Sequence, residues 1–190
     1  MGNIVLELNR TAAPISVENF LRYVDEGYYD GTVFHRVISD FVVQGGGYDE
    51  QYELKDTRPP ILNEGSNGLK NLRGTLAMAR TNDANSATSQ FYINLVDNDS
   101  LDFRSDFPGY AVFGRVTVGM DIVDEIAAVE TASRAGVGED VPVQAVVLER
   151  ATRLKALGGG TGGDTDTSTN GGSNDEDDDP IRTPGVSAGG

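Results

Sequence analysis

The stretch from Phe34 to Gly47, Phe-His-Arg-Val-Ile-Ser-Asp-Phe-Val-Val-Gln-Gly-Gly-Gly, sets one arginine and one glutamine among residues that otherwise belong inside a sheet. Phe34, Val37 and Ile38 precede a polar Ser39-Asp40 pair, and Phe41, Val42 and Val43 follow it, which predicts two short strands around a tight connection. Arg36 lies inside the first strand. A buried arginine needs an acceptor, so Arg36 is either paired within the fold or aimed into a pocket where something else supplies one. Gln44 ends the second strand, and Gly45 to Gly47 allow a sharp turn and a close approach to a ligand.

The rest of the chain supplies the frame. Ile4, Leu6 and Leu8 alternate with Val5 and Glu7, the period of a strand. Pro14 suits a first helical turn, Val17, Phe20, Leu21 and Val24 recur on one face, and Gly27 is placed to end the helix. From Gly45 to Gly74 no period persists, which predicts a long surface excursion. Thr75 to Ala79 and Phe91 to Leu95 read as strands joined by a polar loop. Residues 96 to 110 form another loop, in which Leu101, Phe103, Phe107 and Tyr110 suggest a wall. Ala111 to Val116 is a strand, Met120, Ile122, Val123, Ile126 and Ala127 mark a second helix, and Val143 to Ala151 is the last strand. Many short strands with two helices predict a mainly β fold, a closed antiparallel β-barrel capped by two α-helices.

Composition limits the function classes. The net charge of −15 leaves no basic footprint for nucleic acid or an anionic membrane. No apolar run has the length of a membrane span and no signal-peptide pattern opens the chain, so a soluble protein is expected and its compartment stays open. Without cysteine there is no thiolate chemistry or cysteine metal site. Two segments are predicted: a domain over 1–157, and a disordered acidic tail over 158–190, which holds ten glycines and seven acids. The Asp164 to Gly171 run has a trace of calcium-loop spacing but lacks the terminal glutamate and flanking helices.

Phe-His-Arg…Phe-Val-Val-Gln-Gly-Gly, Gly74 to Arg80, Ser86 to Ile93 and Val112 to Val116, in this order, resemble the cyclophilin-type peptidyl-prolyl cis-trans isomerases, the bacterial-like branch most closely. The resemblance spans roughly Gly2 to Arg153. It implies a proline pocket of Phe41, Val42, Tyr92 and Leu101, with Gln44, Ala79, Arg80 and Gln90 along the adjoining groove, Tyr110 at its edge and Arg36 as the catalytic residue. It implies no cofactor and no metal, and as partners proline-containing peptides and unfolded proteins met by a monomer. Tyr92 stands where phenylalanine is usual, Val42 where many members carry methionine, and Ser100 where an aromatic residue often closes the pocket that binds cyclosporin. The family barrel also has a short strand ahead of the one at Asn3 to Leu8. This sequence does not contain it, so an open seam is expected, with Met1 an internal methionine of a longer product.

The chemistry fits these residues. Rotation about X-Pro breaks amide resonance against a barrier of ~18–20 kcal/mol and needs no nucleophile. A pocket for the ring, and a donor whose interaction strengthens as the prolyl nitrogen becomes pyramidal, lower that barrier. A guanidinium supplies such a donor. The expected activity is therefore isomerisation of X-Pro bonds in unfolded or flexible segments, assisting protein folding. The alternative is a proline-peptide binding module or chaperone with negligible turnover. His35, the sole histidine, is set aside as an acid or base, because neighbouring strand residues face opposite ways and Arg36 takes the substrate side.

Overall fold

The computed structural model describes residues 1–154 and the backbone of 182–189. In chain order the elements are β1 (Asn3–Leu8), α1 (Pro14–Asp25), β2 (Thr32–Ile38), β3 (Val42–Asp49), β4 (Thr75–Met78), β5 (Phe91–Asn94), a 3₁₀ turn at Asp99–Leu101, β6 (Val112–Val118), α2 (Met120–Ala127), β7 (Thr131–Arg134), β8 (Gly138–Pro142), β9 (Val147–Ala151) and β10 (Arg182–Gly189). Seven antiparallel strands in the order β9-β2-β3-β5-β4-β6-β1 make a curled sheet, and β7-β8 form a separate hairpin.

Those seven strands alone are a curled half-barrel open between β1 and β9, and β10 lies between these two edges, in the seam expected to stay open. Strand β10 pairs with β1 (Asn3↔Ser187, Ile4↔Val186) and with β9 (Val186↔Ala151, Ser187↔Arg150). The expectation of disorder through 190 thus does not describe 182–189, and the remainder of the tail, including the calcium-like run, lies outside the described residues. A local reading misses β10 because Pro184, Gly185 and Gly189 oppose strand propensity. Its pairing comes instead from two sheet edges with free backbone groups.

Alternation along the strands separates two apolar regions. Phe34, Val37, Val43, Leu76, Met78, Phe91, Ile93 and Phe113 face the interior, where they meet Val17, Phe20, Leu21 and Val24 of α1 and Val123 and Ile126 of α2. Phe20 is central, with its ring 5.0 Å from Tyr29, 5.4 Å from Phe91 and 5.3 Å from Phe113. Burial of a side chain this size is worth roughly 1.5–3 kcal/mol. The helix begins as its sequence predicts, at Pro14, but Ala13 gives it no side-chain cap. Glu64, far along the chain, takes that role: its carboxylate accepts from the N–H groups of Ile15 and Ser16 at 3.0 and 2.8 Å and from Ser16 Oγ at 2.7 Å. The excursion between β3 and β4 is thereby tied to the end of α1.

Candidate active site

The alternate positions of the same strands build the second apolar region, on the outside of the sheet. Cross-strand pairing sets Arg36 opposite Gln44, Gln44 opposite Tyr92, Tyr92 opposite Ala77 and Ala77 opposite Val112, so one row crosses β2, β3, β5, β4 and β6. The row is polar at one end and apolar at the other. Around it Val42, Ala77, Tyr92 and Val112 are buried in a cluster of their own, against which Phe41, Leu69, Ala79, Leu101 and Tyr110 pack. The residues named for the proline pocket, Phe41, Val42, Tyr92 and Leu101, are together here, with Ala79 and Tyr110 at the rim.

Arg36 and Gln44 stand beside that cluster. The Arg36 Nη1 donates to Gln44 Oε1 at 3.4 Å, and Gln44 Nε2 donates to Gln90 Oε1 at 2.9 Å. Among the described residues no ion pair engages Arg36, which is half-buried, so its charge remains available to a ligand. The glycines after Gln44 do not open a ligand passage as expected; β3 continues through them to Asp49. A Cβ at Gly47 would lie 2.6 Å from the Gln90 side chain, so this glycine gives room to the protein's own glutamine.

His35 requires a correction of the alternation argument. The β2-β3 register shifts between Phe34 and Arg36, so strict opposition of neighbouring side chains does not carry across His35. The ring is buried, packs 4.6 Å from the Tyr48 ring and has an Nδ1 without a hydrogen-bond partner. Burial lowers its pKa from 6.5 to about 4, with the Val33 backbone and Gln90 pulling weakly the other way and the Arg36 charge adding to the depression. At neutral pH the ring is therefore uncharged and does not serve as a general acid.

The sequence matches the family described as cyclophilin type peptidyl-prolyl cis-trans isomerase/CLD over residues 1–153. The chain belongs to the cyclophilin family. It is 59% identical over 156 residues to peptidyl-prolyl cis-trans isomerase cyp18 of Streptomyces antibioticus, covering 80% of this chain and 93% of that one. It is 51% identical over 154 residues to peptidyl-prolyl cis-trans isomerase B of Escherichia coli K12, with the same two coverages. A cyclophilin-type isomerase of Cryptosporidium parvum, solved in the presence of the dipeptide Ala-Pro, has a TM-score of 0.62 at 23% identity and covers 79% of this chain and 96% of its own, a likeness of fold. This cyclophilin is thus a peptidyl-prolyl cis-trans isomerase.

In this cyclophilin Arg80 fastens the wall instead of reaching into the groove. It donates to the Gly109 carbonyl from Nε at 3.2 Å and Nη2 at 3.0 Å and to the Thr81 carbonyl at 2.9 Å, and it stacks 4.2 Å from the Tyr110 ring. Tyr110 in turn lies edge-on to Tyr92 at 5.9 Å, and its N–H donates to the Leu101 carbonyl at 3.0 Å. Ser100 is exposed in the 3₁₀ turn beside Leu101. Sequence reasoning missed the polar groups behind the pocket, Asn71, Asn94, Asn98 and Asp102, which are all buried. Short polar residues in turn-rich segments look like surface, and only Tyr92 in a phenylalanine position pointed to a need for a polar partner. Among the described residues no group of three His, Cys, Asp or Glu side chains is placed to hold a metal ion, and no helix is long and apolar enough to cross a membrane. A separate open cleft of about 510 Å³ lies against α1, lined by Pro14, Ile15, Arg22, Arg58 and Pro59 among others, and shares no residue with this site.

Proposed function

We propose that this cyclophilin isomerises X-Pro bonds in unfolded or flexible protein segments on the outer face of its sheet, as a monomer, without cofactor or covalent intermediate. The carrying observation is the cross-strand row that sets Arg36, free of any ion pair among the described residues, next to the cluster of Phe41, Val42, Tyr92 and Leu101. The proline ring occupies the apolar cluster. The segment's backbone lies along Gln44, Gln90 and Ala79, where amide groups can pair with its carbonyl and N–H groups.

Arg36 binds the substrate carbonyl in the ground state and, as the amide twists, donates to the prolyl nitrogen that regains its lone pair. The second interaction exists only in the twisted state, so it lowers the barrier instead of merely tightening binding. Gln44 limits the swing of the guanidinium through the 3.4 Å contact, and Gln90 fixes Gln44. The apolar wall keeps water from competing for the donor. The Ala-Pro dipeptide accompanying the Cryptosporidium parvum relative is consistent with a proline ligand for this fold.

The test is Arg36→Ala, followed by NMR exchange on a short X-Pro peptide and by a separate binding titration. Catalysis should fall about a hundredfold, which corresponds to ~2.7 kcal/mol of transition-state stabilisation, while peptide affinity changes about threefold or less. Equal losses in the two measurements would remove Arg36 from the catalytic step.

A further inference from the structure

Behind the pocket lies a buried polar cluster that the isomerisation mechanism does not use. Tyr92 Oη donates to Asn71 Oδ1 at 2.8 Å, and Asn71 Nδ2 and backbone N donate to Asp102 Oδ1 at 3.1 and 2.8 Å. Asn94 Nδ2 also reaches Asn71 Oδ1, at 3.3 Å. Asn98 donates to Asn94 Oδ1 at 2.8 Å and to the Phe41 carbonyl at 3.0 Å. Asn71 is 1% exposed, Asp102 5% and Tyr92 4%. One set of side chains therefore holds the backs of two pocket walls, Phe41 and Tyr92, and the segment carrying Leu101.

The polarity of this cluster follows from its chemistry. An ionised carboxylate only accepts, so Asp102 obliges Asn71 to turn its NH₂ towards it. The Asn71 oxygen then faces Tyr92, and the phenol must donate. Lys70 Nζ, 3.2 Å from the other Asp102 oxygen, keeps a positive charge on the solvent side of the carboxylate. The Asn71 hydrogen bonds and Lys70 together hold the Asp102 pKa below its usual value against the opposing effect of burial, and burial pushes the Tyr92 phenol well up. Both groups therefore keep the protonation states that the arrangement needs at neutral pH.

We propose that Asn71, oriented by Asp102, is a positioning residue that ties the Tyr92 hydroxyl away from the substrate and so keeps the proline-facing wall apolar and fixed. The inference rests on the pocket assignment above. It explains how a tyrosine serves in a position that asks only for a ring: a buried hydroxyl without a partner is costly, and here the partner lies behind the wall. If Asn71 is lost, the phenol either stays unpaired or turns towards the pocket, where it competes with the proline ring. The damage then comes from the Tyr92 oxygen, and removing that oxygen repairs it.

The experiment compares Asn71→Ala, Tyr92→Phe and the double variant, with KM and kcat measured on an Ala-Pro peptide. Asn71→Ala should raise KM about tenfold with kcat changed less than threefold. Tyr92→Phe should raise KM two- to threefold, and the double variant should return to the level of Tyr92→Phe alone. A purely structural Asn71 predicts instead that the double variant is at least as impaired as Asn71→Ala, and that result overturns the proposal, as does an Asn71→Ala enzyme with unchanged KM. If Asn71→Ala does not fold, Asn71→Ser, whose side chain cannot span both partners, takes its place in the same comparison. The Tyr92 ring resonances, assigned by their loss in Tyr92→Phe, give a readout independent of turnover: they should shift in the Asn71 variant without any peptide present. Ring signals that shift while wild type binds no proline peptide would refute the pocket assignment and leave the tether standing; unmoved signals would refute the tether itself.

Discussion

His35 is the only histidine in the chain, which makes its ionisation separately observable. The folded ring titrates at about 4, against 6.5 when unperturbed, chiefly because burial disfavours the charged form. Above pH 6.5 the ring is neutral in both folded and unfolded chains, so its contribution to stability is complete. As pH falls below 6.5 the unfolded chain takes up a proton that the folded one refuses, and stability is lost until the folded ring titrates at about 4. At ~1.36 kcal/mol per pH unit the whole effect is about 3 kcal/mol, of which about 2 kcal/mol falls between pH 7 and pH 5, where most carboxylates stay ionised. The ring Hε1 resonance should therefore keep its neutral shift at pH 5. Urea unfolding of wild type should show the loss between pH 7 and 5, whereas His35→Gln, neutral throughout, should show about 2 kcal/mol less pH dependence. An Hε1 midpoint near 6.5, or the same pH dependence in both proteins, would refute the reasoning.

Other outcomes follow from the contacts described. Glu64→Ala removes the carboxylate that caps the first turn of α1, and chemical denaturation should show a loss of about 1–2 kcal/mol with little change in KM. Arg80→Ala removes three hydrogen bonds to backbone carbonyls and the stack on Tyr110, so the 101–110 wall should loosen: KM rises several-fold, and stability falls by about 1–2 kcal/mol in urea unfolding. Deleting 182–190 leaves β1 and β9 as unpaired edges. Calorimetry should then show a lower Tm, by roughly 2–4 °C for each kcal/mol lost, and light scattering should rise with concentration.

The site residues were named through the family resemblance of their motifs, and alternation of apolar residues supplied only the strands that carry them, Val37 and Val43 facing the core where Arg36 and Gln44 pair across β2 and β3. The same rule failed at His35, where the register shift makes the period locally different from two. Helix α1 was legible from Pro14 and its apolar face, yet its cap was not, since Glu64 comes from a loop 48 residues beyond Ser16. The asparagine cluster behind Tyr92 was hidden for a related reason: burial of a short polar side chain depends on partners distant in sequence, and nothing local distinguishes it from a surface asparagine. The hairpin β7-β8 has mostly exposed residues and no apolar alternation to announce it.

The place of β10 has a consequence for the order in which the molecule assembles. Asn3 pairs with Ser187, so this contact joins nearly opposite ends of the chain, whereas Ile38 pairs with Val42 across a tight turn. Contacts of long sequence separation need the largest loop closures and come late in folding. During synthesis from the N-terminus, every member of the row from Arg36 to Val112 has been made before β9 or β10 exists. The sheet that carries the proline site can therefore pair while the chain is still lengthening, and joining β1 to β9 through β10 is left as the last step.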